Sequence, residues 1–202
     1  MSADLGSDAD PEVGEIASDA ERSDGLPTPP RTITDGENRE IRLRVADDST
    51  VAFGGRDGGD DGDDRAALAA MYDDFETADR AQGIPPADPD RRSRWLDRIR
   101  DGVEVLACHD DRVVGHGVLL AGGPGHELAL FVHPEYRGAG VGTHLLETLL
   151  GHGASVGVER VWLSVQRTNR PAVRLYRNAG FELAASAAGE MEMRRRLRDG
   201  GG

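Results

Sequence analysis

Apolar and polar positions change their period several times along the chain, and each change predicts an element. Residues 39 to 45 alternate as Arg39, Glu40, Ile41, Arg42, Leu43, Arg44 and Val45, which predicts a half-buried strand opening the folded part. After Asp63 and Asp64, either of which can cap a helix, Leu68, Met71, Tyr72 and Phe75 recur at helical spacing. Gly83-Ile84-Pro85-Pro86 stops that helix, and residues 89 to 100 predict a second, with Trp95, Leu96 and Ile99 on its buried side. Strand patterns come next at 103–108 and 112–120, joined by a His109-Asp110-Asp111 turn, and at 126–133. Beyond them lie a helix striped by Leu145, Leu146, Leu149 and Leu150, a strand at 160–166, a short helix at 170–179 and a terminal strand at 190–197. Hairpins early and strand-helix-strand alternation late predict an α/β chain, an α+β arrangement on a mixed sheet.

Charge sharpens the domain boundaries. The 202 residues accommodate one domain and a tail. Residues 1 to 38 carry ten acids against Arg22 and Arg31, so eight of the thirteen net negative charges sit there. With Pro27, Pro29 and Pro30 and few large apolar side chains, 1–38 is expected to be an acidic disordered tail, unable to offset its ordering entropy. The domain then runs over 39–197, with a Gly/Asp-rich insertion at 54–64 and a flexible C-terminus at 198–202. All 24 basic residues are arginine, and with a pI of about 4.8 this usage resembles that of a salt-adapted, halophilic microbe.

The same balance argues against a nucleic-acid partner, and Arg194, Arg195, Arg196 and Arg198 read as the solvated side of the last strand. No apolar run approaches the ~20 residues of a bilayer-crossing helix, so no membrane partner is expected. The N-terminus shows neither a basic start nor an apolar core of a secretion signal, and the cytoplasm is the expected compartment. Cys108 stands alone, allows no internal disulfide and reads as a small buried hydrophobe.

Arg137-Gly138-Ala139-Gly140-Val141-Gly142-Thr143 lies between an apolar strand and an amphipathic helix. Lacking Cβ atoms, Gly138, Gly140 and Gly142 let the backbone turn tightly and bring successive N–H groups to a ligand. The helix after the turn adds its positive dipole end, which suits a phosphate or pyrophosphate. Arg137 offers a fork of donors to phosphate oxygens, or orders the loop. A Rossmann fingerprint fails because Thr143 and Leu145 stand where its last glycine belongs, and a Walker loop fails for want of a lysine.

The pattern (Arg/Gln)-x-x-Gly-x-(Gly/Ala), met by Arg137, Gly140 and Gly142, resembles the acetyl-CoA pyrophosphate loop of the GNAT N-acetyltransferases. Residues 127–142 (ELALFVHPEYRGAGVG) resemble that family's fourth strand and loop, and Asn169, Ala172, Leu175, Tyr176, Gly180 and Phe181 are similar to its later N-x-x-A-x-x-L-Y-x-x-x-G-F pattern. The resemblance implies a GNAT-like acyl-CoA N-acyltransferase fold over 39–197, with strands 126–133 and 160–166 splayed to admit the pantetheine arm. It implies that backbone groups around Phe131 and Val132 pair with pantetheine amides, one N–H polarising the thioester carbonyl. The amides from Gly138 through Ala139, Gly140, Val141 and Gly142 to Thr143 would hold the pyrophosphate, and Asn169 would contact the cofactor arm or fix the turn into the next helix.

Acetyl transfer to an amine needs a neutral nucleophile, and an alkylammonium such as lysine's has a pKa of about 10.4. Glu127, on the strand lining the cleft, resembles a family base position; otherwise it is a solvent-facing or loop-ordering acid. Tyr176 resembles the helix tyrosine that protonates the departing thiolate; otherwise it is a core aromatic. His109, His116, His126, His133, His144 and His152 match no short zinc spacing, and no metal is expected. His116 and His126 face the acceptor pocket or play hydrogen-bonded structural roles, while Trp95 and Trp162 read as core or interface. Asp73, Asp74, Glu76, Asp79 and Arg80 form an acid-rich rim there, equally readable as salt-adapted surface.

The expected function is transfer of the acetyl group of acetyl-CoA, the acyl-donor co-substrate, to a primary amine on a small molecule or peptide. Transfer would be direct, within a ternary complex, and a homodimer is left open. The alternatives are a non-catalytic acyl-CoA-binding sensor of the same fold and a structural protein whose glycine turn merely joins strand to helix.

Overall fold

The computed structural model describes residues 25–46, 64–76, 79, 85–99 and 101–197. Most of the acidic tail (1–24), insertion residues 54–63, Arg80, the helix stop at Gly83 and Ile84, and residues 198–202 lie outside the described residues. In chain order the elements are β1 (Arg31–Thr34), β2 (Glu40–Val45), α1 (Asp64–Asp73), α2 (Pro89–Ile99), β3 (Val103–His109), β4 (Arg112–Gly122) and β5 (Gly125–Val132). A 3-10 turn (Pro134–Tyr136) leads to α3 (Val141–Ser155), β6 (Arg160–Gln166), α4 (Arg170–Asn178), β7 (Glu182–Ala187) and β8 (Glu190–Arg196). The strands form one mixed sheet in the order β1-β2-β3-β4-β5-β6-β8-β7. Every pairing is antiparallel except β5 with β6.

Strand alternation sends side chains to two cores. On one face Leu145, Leu146, Leu149 and Leu150 of α3 and Tyr176 of α4 pack on Ile41, Leu43, Leu128, Val161, Leu163 and Met193. On the other, Leu68, Met71 and Tyr72 of α1 and Trp95, Leu96 and Ile99 of α2 pack on Leu106, Val118 and Phe131. Tyr72 sits edge-on to Phe75, Trp95 and Phe131, with centroids 5.4 to 5.6 Å apart, a geometry that aromatic quadrupoles favour. Its hydroxyl meets His116 Nδ1 at 2.6 Å. His116 is fully buried, which removes it from any acceptor pocket.

Three elements depart from the sequence reading. Residues 31–34, expected within the disordered tail, form β1: Ile33 opposes Ile41 and both are buried. Asp35 builds the connecting turn, its carboxylate accepting from the amides of Glu37 and Arg39 (both 2.9 Å) and from Arg39 Nε (2.7 Å). Asp64, read as the end of the insertion, instead opens α1 and pairs with Arg44 on β2. The third is β7, whose six residues (ELAASA) are all exposed, so no apolar alternation announced it. Beside it, Arg195 is half-buried rather than solvated and donates to Ala179 O, while Arg194 and Arg196 are exposed.

Burial raises the Asp35 carboxyl, but hydrogen bonds from Arg39 and Glu37 and the Arg39 charge outweigh it and hold the group below its ordinary 3.8. A carboxylate with a depressed folded-state pKa stabilises fully above its unfolded value and loses that contribution as pH falls through the folded one. Asp35→Asn should therefore be less stable than the natural protein at neutral pH, and the gap should close as pH falls below 3.8. Urea midpoints measured from pH 3 to 7 check this; a gap of constant size would remove the ion pair from the account.

Candidate active site

The parallel strands β5 and β6 meet only at His126–Val161 and Glu127–Trp162. Beyond that two-residue bridge they diverge, opening a wedge whose apex is Glu127 and Trp162. Which β5 groups line it depends on the antiparallel ladder with β4. His133 N donates to Val114 O at 2.9 Å, and the register runs without a shift from Gly115–Val132 to Gly122–Gly125. Alternation then directs the main-chain groups of Phe131 and Ala129 to β4, and those of Leu130 and Val132 to the wedge. This corrects the expectation for Phe131: Leu130 and Val132 offer the free edge, and the Phe131 ring packs under α1 and α2. Val132 O already accepts from Arg137 Nε at 3.0 Å, which leaves the Val132 N–H for a ligand.

At the wide end of the wedge the chain turns through 137–143 into α3. Gly138 (φ +79°) and Gly140 (φ +91°) are left-handed, and a Cβ added at either would meet nothing within 4 Å. Gly142 serves differently: a Cβ there would lie 3.4 Å from Val132, so it lets α3 approach β5. Gly140 caps α3 without a side-chain bond, and the N–H groups of Gly138, Ala139, Gly140, Val141 and Gly142 have no acceptor among the described residues. Thr143 departs from expectation because its N–H is held by Gly140 O at 3.0 Å. Successive main-chain donors without an acceptor therefore gather at a helix N-terminus, with Gly138 and Gly140 exposed and Val141 buried beneath them, which is the chemistry of an anion cradle. The donor set and the space fit the pyrophosphate of acetyl-CoA.

The cradle is held from outside. Gly36 N donates to Ala139 O (2.8 Å), and Arg39 lies 4.1 Å over the Tyr136 ring while donating to Glu135 O (3.3 Å). Arg137, offered by the sequence either to phosphate or to the loop, is directed to the loop: besides Val132 O it pairs with Asp79 and lies 5.5 Å over the Phe75 ring. His133 Nδ1 accepts from Glu135 N (3.3 Å), and its Nε2 meets both Arg112 (2.9 Å) and Asp74 Oδ2 (3.2 Å). His133, with Arg112 at 2.7 Å, holds the Asp74 carboxyl below its ordinary range. Asn169 Oδ1 accepts from Ala172 N (3.2 Å), which assigns its side chain to capping α4.

Glu127 is exposed and shares the α1/α2 face of the sheet with Phe131, whereas His126 lies on the opposite face. Tyr176 is buried on the α3/α4 side, 5.8 Å from Phe181, and burial pushes its phenol up to about 12. Burial likewise pushes the Cys108 thiol up. Among the described residues no group of three or more His, Cys, Asp or Glu is placed to hold a metal. No described helix is long and apolar enough to cross a membrane.

Comparison with known proteins shows the family and the fold. The model of the acetyltransferase (GNAT) family matches residues 68–181, and the chain belongs to that family. An uncharacterized N-acetyltransferase of Mycobacterium tuberculosis is 38% identical over 81 residues, covering 39% of this chain and 52% of that protein. The match thus spans about half the length of that curated relative. The fold is shared with the GNAT domain of S. lividans PAT (TM-score 0.65, 17% identity, 82% of this chain and 96% of that one). It is shared also with yncA of Salmonella typhimurium, solved with its cofactor acetyl-CoA (TM-score 0.58, 20% identity, 79% and 95%).

Sequence reasoning did not place Trp162 beside Glu127, pair Asp79 with Arg137 or find the Asp35–Arg39 brace. The Asp35-Gly36 and Asn38 turn residues were the one local signal. Gly140→Glu places a side chain and a negative charge in the cradle and strains a left-handed position by about 1–2 kcal/mol. Acetyl-CoA affinity by calorimetry should fall at least a hundredfold while the fold is retained by circular dichroism; unchanged affinity would remove the cradle assignment.

Proposed function

We propose that this protein transfers the acetyl group of acetyl-CoA to a primary amine by direct attack in a ternary complex. The observation that carries the reading is the row of main-chain N–H groups between Gly138 and Gly142 that have no acceptor among the described residues, at the mouth of a wedge with free backbone donors along one wall. Acetyl-CoA, when bound, supplies an acetyl group activated as a thioester. The amides from Gly138 to Gly142 hold the diphosphate, and the N–H groups of Leu130 and Val132 pair with the arm or polarise the acetyl carbonyl.

Glu127 lies on the α1/α2 face of the sheet and Tyr176 on the α3/α4 face. The amine enters on the Glu127 face, and the carboxylate takes its proton directly or through a water as the N–C bond forms. On this reading the C–S bond would break toward the α3/α4 face, where Tyr176 lies. A phenol near 12 would give up its proton to a thiolate of ordinary pKa only at a cost of about 5 kcal/mol, so Tyr176 stabilises the departing sulfur by a hydrogen bond. The buried, raised Cys108 thiol is a poor acyl carrier, which favours direct transfer.

Glu127→Gln should lower kcat by about a hundredfold or more with acetyl-CoA affinity unchanged, and Tyr176→Phe should act on kcat in the same way but less. Both are read by thiol release with a panel of primary amines. Because the phenol stays protonated, no alkaline limb below about pH 11 should belong to Tyr176. Absence of acetyl-CoA-dependent turnover with every amine class, despite tight cofactor binding, would favour a sensor over an enzyme.

A further inference from the structure

Among the described residues Trp162 is the one large aromatic at the apex of the wedge, and neither core cluster claims it. As the parallel bridge partner of Glu127 it points to the same face of the sheet, because bridged residues of parallel strands share a face. Val161 and Leu163 on either side are buried under α3, while Trp162 is half-buried on the other side. Its rotation is restrained at one edge: Nε1 donates to Gly122 O at 3.2 Å, and the β4–β5 hairpin tip lies against the ring at Gly123. Among the described residues no cation lies over the indole. The cation–π contacts of the described residues go to Tyr136 and Phe75, and Arg194, directly across from Trp162 on β8, is held by Glu192 at 2.6 Å.

A pantetheine arm that started at the cradle and ran along the open edge of β5 would end near this apex, and Glu127 and Trp162 would then flank the place of acyl transfer. We propose that Trp162 is a specificity-determining residue of the acceptor site, its indole face receiving the acceptor's ammonium group beside the Glu127 carboxylate. This rests on the acetyl-transfer reading above. The substrate class is a primary alkylammonium: the ring and Glu127 attract the charged form, Glu127 then removes the proton, and the half-buried Leu120 opposite Glu127 gives the adjoining stem an apolar contact. A neutral molecule of the same shape gains none of the electrostatic part.

The chain has two tryptophans, Trp95 buried and Trp162 partly buried, so acrylamide quenching reports mainly on Trp162. Tetramethylammonium, a cation with no transferable nitrogen, should protect this fluorescence, and tert-butanol at equal concentration should not. Glu127→Gln should weaken the protection at least fivefold, and Trp162→Phe should remove the protectable fraction without changing acetyl-CoA affinity measured by calorimetry. Equal protection by both probes, none by either, or protection that survives Trp162→Phe would overturn the assignment while acetyl-CoA binding left the enzyme reading intact. Failure of the natural protein to bind acetyl-CoA would instead strike at that reading.

Discussion

The separation of β5 from β6 is the constraint on which the site depends. Two parallel strands joined by a single two-residue bridge leave edge groups that a continuous sheet would satisfy. A polar group left unmatched away from water costs about 1–3 kcal/mol, so such a wedge is tolerable only where solvent or a ligand supplies the partner. Here the opening is enforced by the connections that leave the two strands. β5 turns through the cradle into α3, β6 turns into α4, and the two helices meet where Gly142 lies beside Val132 and Leu175. Closing the wedge would require displacing a packed core.

A second constraint falls on the cradle. Two left-handed glycines make it easily deformed, and its shape is imposed by distant parts of the chain: the Asp35–Arg39 turn from one side, Asp79 and Phe75 through Arg137 from the other. Arg137 is thus placed as an organiser of the donors, and in the proposed function the negative charge of the ligand would be met chiefly by main-chain N–H groups. That division suits a chain whose net charge is −13, since backbone donors attract an anion locally without requiring a basic surface.

Much of this was legible in the sequence where the signal was local. The glycine spacing after an apolar strand located the cradle, and periodicity located α1 to α4 and six of the strands. β1 was missed because four residues in a proline-bearing, acidic context carry too little pattern, and its stability comes from pairing with β2. β7 was missed because an exposed edge strand buries no face. The exchange of Phe131 for Leu130 on the wedge could not be anticipated, since which alternate residues bond to β4 is set by register and not by residue type.

By itself, then, the sequence determined where the chain turns, which faces are apolar and where a run of main-chain donors can be exposed, because these depend on Cβ sterics and hydrophobic period. Only the tertiary structure decided which donors stay unpaired, that Arg137 and Asn169 are engaged within the fold, and that Glu127 and Trp162 share one face at the apex. Those outcomes depend on strand register and on contacts between residues tens of positions apart, and no local pattern encodes them.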